Sequence, residues 1–167
     1  GWVSETLLYR QIEKAFSPTK VMQHASPAFL GKQHYDVYLP EYKIALEYQG
    51  DQHSRPIEFF GGEEAFLKGL ERDKRKREIS SKNGVHQIDA YPGYDLRVVL
   101  ESVASRIYNT GSSNYQELVT DAINRAENAS VTVKDLAISH SEAIDKLANV
   151  SDEAEMDDYR YELMMKK

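Results

Sequence analysis

Six residues in this 167-residue chain have side chains suited to holding a hard cation and moving a proton: Glu5, Asp36, Glu47, Gln49, His53 and Asp73. Three of them crowd into one stretch, HYDVYLPEYKIALEYQGDQ, which His53 follows directly. Most of that stretch alternates like a half-buried hairpin, yet Asp36 and Glu47 fall mid-strand. Carboxylates are poor strand formers and costly to bury. If a four-residue loop, Pro40 to Lys43, is closed by Leu39 and Ile44, Asp36 lands directly opposite Glu47. Like charges so placed destabilise a sheet unless they share a proton or a cation. An oxygen-preferring divalent ion, Mg²⁺ or Mn²⁺, meets that need. The alternative is a solvent-exposed sheet face on which both acids are simply hydrated.

Strand alternation puts Tyr38, Ala45 and Gln49 on the face of the two acids, and Val37, Leu39, Ile44, Leu46 and Tyr48 on the other. Gly50 lets the chain turn, and His53 lies just past the strand end. Further along, Phe66, Leu70, Asp73 and Arg77 share one helical face, so Asp73 points inward if the apolar pair packs on the sheet. Glu5 precedes Leu8 by three residues and Ile12 by seven, on the apolar stripe of a first helix. Each has a plainer explanation. Asp73 fits a surface acid paired with a neighbouring base, and Glu5 fits a first-turn acid that complements the helix dipole.

The elements that must position these groups are readable in outline. Residues 4–16 read as a helix with Ser4 as its N-cap. Strands are expected over Lys20 to Ala25, in YDVYL, in KIALEYQ and in VHQIDAY. A long helix from about Glu63 to Ser81 stops at Asn83-Gly84, where a left-handed cap is easy. DLRVVLESVASRIY is amphipathic, with Leu96, Val99, Leu100, Val103 and Ile107 on one side. The order α-β-β-β-α-β(-α) predicts an antiparallel meander, a crossover, and a mixed sheet flanked by helices: an α/β (α+β) fold.

Charge divides the chain. Residues 1–110 hold 15 basic and 15 acidic side chains, whereas residues 111–167 hold 6 and 12, so the whole net charge of −6 belongs to the tail. That tail is helix-like and acidic, which predicts a boundary near residue 110. The first part contains the basic run RDKRKR, whose Lys74, Arg75, Lys76 and Arg77 are candidate contacts to a nucleic-acid backbone or else a solvated helix face. There are no cysteines, which removes disulfides, thiol catalysis and Cys-type zinc sites and fits a reducing cytoplasm. No apolar stretch is long enough to cross a bilayer. The opening Gly-Trp, without Met, suggests an excised fragment of a longer protein or a tag remnant.

These residues resemble the PD-(D/E)XK nuclease superfamily, in which an aspartate begins the second core strand and a (D/E)-x-K tripeptide lies on the third. Asp36 matches the first position and Glu47-Tyr48-Gln49 the tripeptide, with Gln in place of Lys. The pairing of YDVYLPEYKIALEYQGDQH with ERDKRKREISSKNGVHQI looks most like the branch of very-short-patch repair endonucleases and EDxHD homing endonucleases. The likeness covers roughly residues 2–92. It implies a restriction-endonuclease-like core and hydrolysis of DNA phosphodiesters in a phage or bacterial cytoplasm. Asp36, with Glu47 or the Tyr48 carbonyl, would hold Mg²⁺ or Mn²⁺, with His53 as general base or acid. Glu5, Asp73 and Gln49 would orient water, metal or imidazole. Two other functions stay open: a DNA-binding module with little catalysis, and an interaction module whose acidic helices contact a second copy or another domain.

Overall fold

A computed structural model describes residues 2–50 and 62–131. It is an α+β fold with a four-stranded mixed sheet. The elements are α1 (Trp2–Phe16), β1 (Met22–Ala25), β2 (Tyr35–Leu39), β3 (Ile44–Tyr48), α2 (Gly62–Lys82), β4 (His86–Ala90), α3 (Leu96–Ile107) and α4 (Tyr115–Glu127), with a 3₁₀ turn at Ala28–Leu30. The strands lie in the order β1-β2-β3-β4. β1, β2 and β3 form an antiparallel meander, and β4 joins β3 in parallel. Parallel pairing needs a crossover, and the segment containing α2 provides it.

The hairpin register is the one its turn chemistry predicts. Leu39 pairs with Ile44, Tyr38 with Ala45 and Val37 with Leu46. The loop Pro40–Lys43 is closed by Lys43 N–H donating to the Pro40 carbonyl, with Lys43 at φ 52°. From Val37 to Leu46 alternation sorts the side chains, and Tyr35, ahead of Asp36, departs from it. Val37, Leu39, Ile44, Leu46, Ile88 and Ala90 face a core shared with Leu8 and Ile12 of α1, Leu100 and Val103 of α3, and Val119 and Ile123 of α4. Tyr35, Tyr38, Ala45 and Val85 form a smaller cluster with Ala25 and Leu30, against which Ile79 of α2 packs. The charged residues lie on the sheet face that this smaller cluster occupies.

Three expectations shift. Helix α1 begins at Trp2, so Ser4 lies within it instead of capping it, and Glu5 occupies the first turn. Helix α2 is rotated from its expected phase. Leu70 is 41% exposed, and the residue buried most completely is Ser80, one turn beyond Lys76. Local amphipathicity is weak in so charged a helix, so contacts with the sheet set its rotation instead. Lastly, the helix beyond the expected boundary at 110 belongs to the main core: Val119, Ala122, Ile123 and Ala126 are buried in it. Arg125 of α4 donates to the Ala15 carbonyl at 2.6 Å and to Lys14 O at 3.3 Å, satisfying groups that the end of α1 leaves without helical partners. The tail beyond 131 lies outside the described residues. Among the described residues, no helix is long and apolar enough to cross a membrane.

Candidate functional site

Following the sheet register sideways brings four titratable residues into one row. Gln23 pairs with Val37 and Ala25 with Tyr35, which sets His24 level with Asp36. One step beyond the Val37–Leu46 pair, Asp36 is level with Glu47. Glu47 in turn pairs with Asp89 of β4. The row His24, Asp36, Glu47, Asp89 thus crosses all four strands.

At the centre of this row the β2–β3 ladder gives way to side-chain bonds. The Asp36 N–H donates to Glu47 Oε2 at 3.0 Å, and the Tyr48 N–H donates to Asp36 Oδ2 at 2.8 Å. Each carboxylate satisfies a backbone N–H beside the pair. Both acids are buried, Asp36 at 7% and Glu47 at 5% exposure. A carboxylate at that depth must find charge-assisted bonds. For Glu47 the balancing charge is Lys76 of α2, whose Nζ pairs with Oε1. The same ammonium stands 5.5 Å from the centre of the Tyr35 ring, an added cation–π attraction. The Tyr35 hydroxyl is itself tied to Ser80 at 2.5 Å, which anchors α2 one turn further on.

A second network flanks the first. Asp89 accepts from Gln49 Nε2 at 2.9 Å, from Arg77 at 2.6 Å and from Gln87 at 3.3 Å. Burial alone raises the Asp89 pKa. The bonds from Gln49, Arg77 and Gln87, with the guanidinium charge, outweigh that and hold it below the usual carboxylate value. On the β1 side, His34 Nε2 lies 3.8 Å from Asp36 Oδ1, and the His24 and His34 rings meet edge to face at 5.6 Å.

The structure therefore brings Asp36 and Glu47 together as their spacing predicts, and buries Gln49 beside them against Asp89. Glu5 is buried in the first turn of α1. Its neighbour Thr6 accepts from Gln23 at 3.4 Å, which sets the start of α1 against β1. Asp73 is half-buried on α2, one turn before Lys76. The Tyr48 residue turns its ring toward Tyr94 on the other face, with centroids 6.4 Å apart. His53 lies outside the described residues.

The four expected backbone-contacting cations divide. Lys76 and Arg77 are held by Glu47 and Asp89. The rotation of α2 turns Lys76 toward buried Glu47, while Arg77 reaches half-buried Asp89 from an exposed position. Lys74 and Arg75 remain exposed. Sequence reasoning passed over His24, His34 and Asp89. The only signals were a histidine next to last in the first strand, another just before YDVYL, and an acid in VHQIDAY, none informative without the strand order.

Comparisons of this chain with protein-family models, with curated proteins and with solved structures found no match. The class that the described residues define is an α+β domain with a buried carboxylate pair at a strand divergence.

Proposed function

We propose that the protein is a metal-dependent phosphodiesterase acting on DNA, an endonuclease of the PD-(D/E)XK kind. The observation that carries this reading is the Asp36–Glu47 pair on adjacent strands, with Lys76 brought onto Glu47 from α2. The resemblance left one gap, since the amide of Gln49 cannot supply a cation where lysine is usual. Lys76 brings an ammonium to the same carboxylate from another element. The order α1-β1-β2-β3-α2-β4, with a meander and a final parallel strand, is compatible with the core that the resemblance implies.

The donor set suits the expected ion. Two carboxylates on one sheet face are hard oxygen ligands of the kind Mg²⁺ and Mn²⁺ take. When bound, such an ion polarises the phosphate and lowers the pKa of a coordinated water. The residues Asp36 and Glu47 would hold it. Their bonds to the backbone amides of Tyr48 and Asp36 keep both carboxylates fixed without a ligand. The Lys76 ammonium would face the charge that grows on a phosphate oxygen. Gln49, Arg77 and Asp89 form a brace behind the pair. His53 is assigned the proton transfer on sequence grounds alone; an imidazole titrates near neutrality and suits it.

A competing reading, DNA binding without cleavage, is favoured by the neutralisation of Glu47 by Lys76. Supercoiled plasmid incubated with protein and Mg²⁺ or Mn²⁺ separates the two. Nicked or linear product that disappears with Asp36→Asn supports the endonuclease. Salt-sensitive gel shifts without product support binding alone, and cleavage that survives Asp36→Asn removes the assigned site.

A further inference from the structure

We propose that His24, His34 and Asp36 form a binding site for a divalent transition-metal ion, which shares Asp36 with the Asp36–Glu47 pair but adds two imidazoles. His24 lies on β1, His34 just ahead of β2 and Asp36 within β2. One potential ligand atom from each lies within 4.8 Å of the other two. Ligands about 2.1 Å from a common ion stand roughly 3–3.5 Å apart, so small side-chain rotations close the set. The separation of His34 Nε2 from Asp36 Oδ1, 3.8 Å, is too long for a hydrogen bond and close to that spacing.

The chemistry of the donors names the class of ion. Two imidazole nitrogens and one carboxylate oxygen suit Zn²⁺, Co²⁺, Ni²⁺ or Fe²⁺, whereas Mg²⁺ and Ca²⁺ take oxygen ligands. Three protein ligands leave at least one coordination position for water or a substrate oxygen. All three residues are shielded from bulk water, two half-buried and one buried. The backbone adds a second observation. His24 is held at φ 52°, one of two non-glycine residues at positive φ among the described residues, at the point of β1 level with Asp36. Such a conformation is uncommon outside glycine and persists where surrounding structure enforces it. His24 comes from β1, whereas Lys76, the partner of Glu47, comes from α2. Its existence does not depend on the nuclease reading, because metal affinity is measured without DNA.

The test uses tag-free, EDTA-stripped full-length chain titrated with Co²⁺ and Zn²⁺, followed by calorimetry and by the visible absorption of Co²⁺. One equivalent of either ion is expected to bind, with a Co²⁺ ligand-field band that Zn²⁺ abolishes and a hundredfold excess of Mg²⁺ does not. His24→Gln and His34→Gln should each weaken binding by more than about 100-fold, since loss of a mere supporting partner costs up to that much. His86→Gln and His140→Gln should bind as the parent does. As a check that needs no variant, the ring-proton resonances of two of the five histidines should respond selectively to Zn²⁺. Absence of the band, displacement by Mg²⁺, or unchanged affinity in folded His24 and His34 variants would overturn the proposal. Binding without plasmid cleavage would uphold it while removing the nuclease assignment.

Discussion

The ammonium of Lys76 on α2 is paired with Oε1 of Glu47 on β3, and the two side chains are 15% and 6% exposed. This is a buried ion pair joining the crossover helix to the centre of the sheet. Helix α2 shows weak amphipathic patterning, so the pair and the Tyr35–Ser80 bond do much to define its rotation.

Removing the cation alone should therefore be costly. Lys76→Met leaves Glu47 buried without a counter-charge, and loss of one partner from such a pair destabilises by about 3–5 kcal/mol. The double variant Lys76→Met, Glu47→Gln should recover most of that loss. Urea unfolding monitored by circular dichroism measures both. Equal destabilisation in the single and double variants would show that packing of the lysine stem, not charge, holds α2.

Asp36 has a structural duty separable from any chemistry. Its Oδ2 accepts the Tyr48 N–H, and Asp36→Ala leaves that amide without its acceptor. Asn keeps a carbonyl oxygen in place. Asp36→Ala should unfold about 1–3 kcal/mol more easily than Asp36→Asn. Both should lack metal-dependent cleavage, because neither keeps the negative charge. An Asn variant that still cleaves plasmid would mean that the charge of Asp36 is dispensable.

Acid should weaken the fold through Asp89. Its folded-state pKa lies below the ordinary value of 3.8 because Gln49, Arg77 and Gln87 together outweigh the effect of burial. A depressed carboxylate contributes stability that is fully present above the unfolded pKa and is lost as pH falls through the folded one. The urea midpoint should thus fall below about pH 4. Asp89→Asn should flatten that part of the pH profile while lowering stability at neutral pH. An unchanged acid limb would place the sensitivity elsewhere.

On the proposed function, DNA affinity should rest on Lys74 and Arg75, the members of the basic run not tied to acids of the sheet. Both are exposed, and Lys74 meets only the exposed Glu78 at 4.0 Å, whereas Lys76 pairs with Glu47 and Arg77 with Asp89. Each phosphate contact removed lowers the slope of log affinity against log salt by about 0.9. Lys74→Gln with Arg75→Gln should lower it by nearly twice that and weaken binding to unrelated sequences alike. Fluorescence anisotropy across a salt series reads the slope. An unchanged slope would move the DNA surface off α2.

The sequence by itself determined the hairpin and what faces what within it. Alternation and a Pro-initiated loop specify the Leu39–Ile44 register, and a register error of one residue would have turned Asp36 and Glu47 onto opposite faces. It also determined the order of elements and the stop of α2 before Gly84, which sits at φ 74°. Tertiary structure alone decided the neighbours of that hairpin. Strand order set His24 and Asp89 level with the acid pair, and helix packing turned Lys76 inward although local patterning favoured Leu70. The same holds for α4, whose acidic sequence reads as the start of a separate segment although its apolar stripe completes the main core. The division has a physical cause. Register depends on short-range turn geometry and a period of two, whereas strand order and helix rotation depend on contacts between residues far apart in the chain, which no local pattern records.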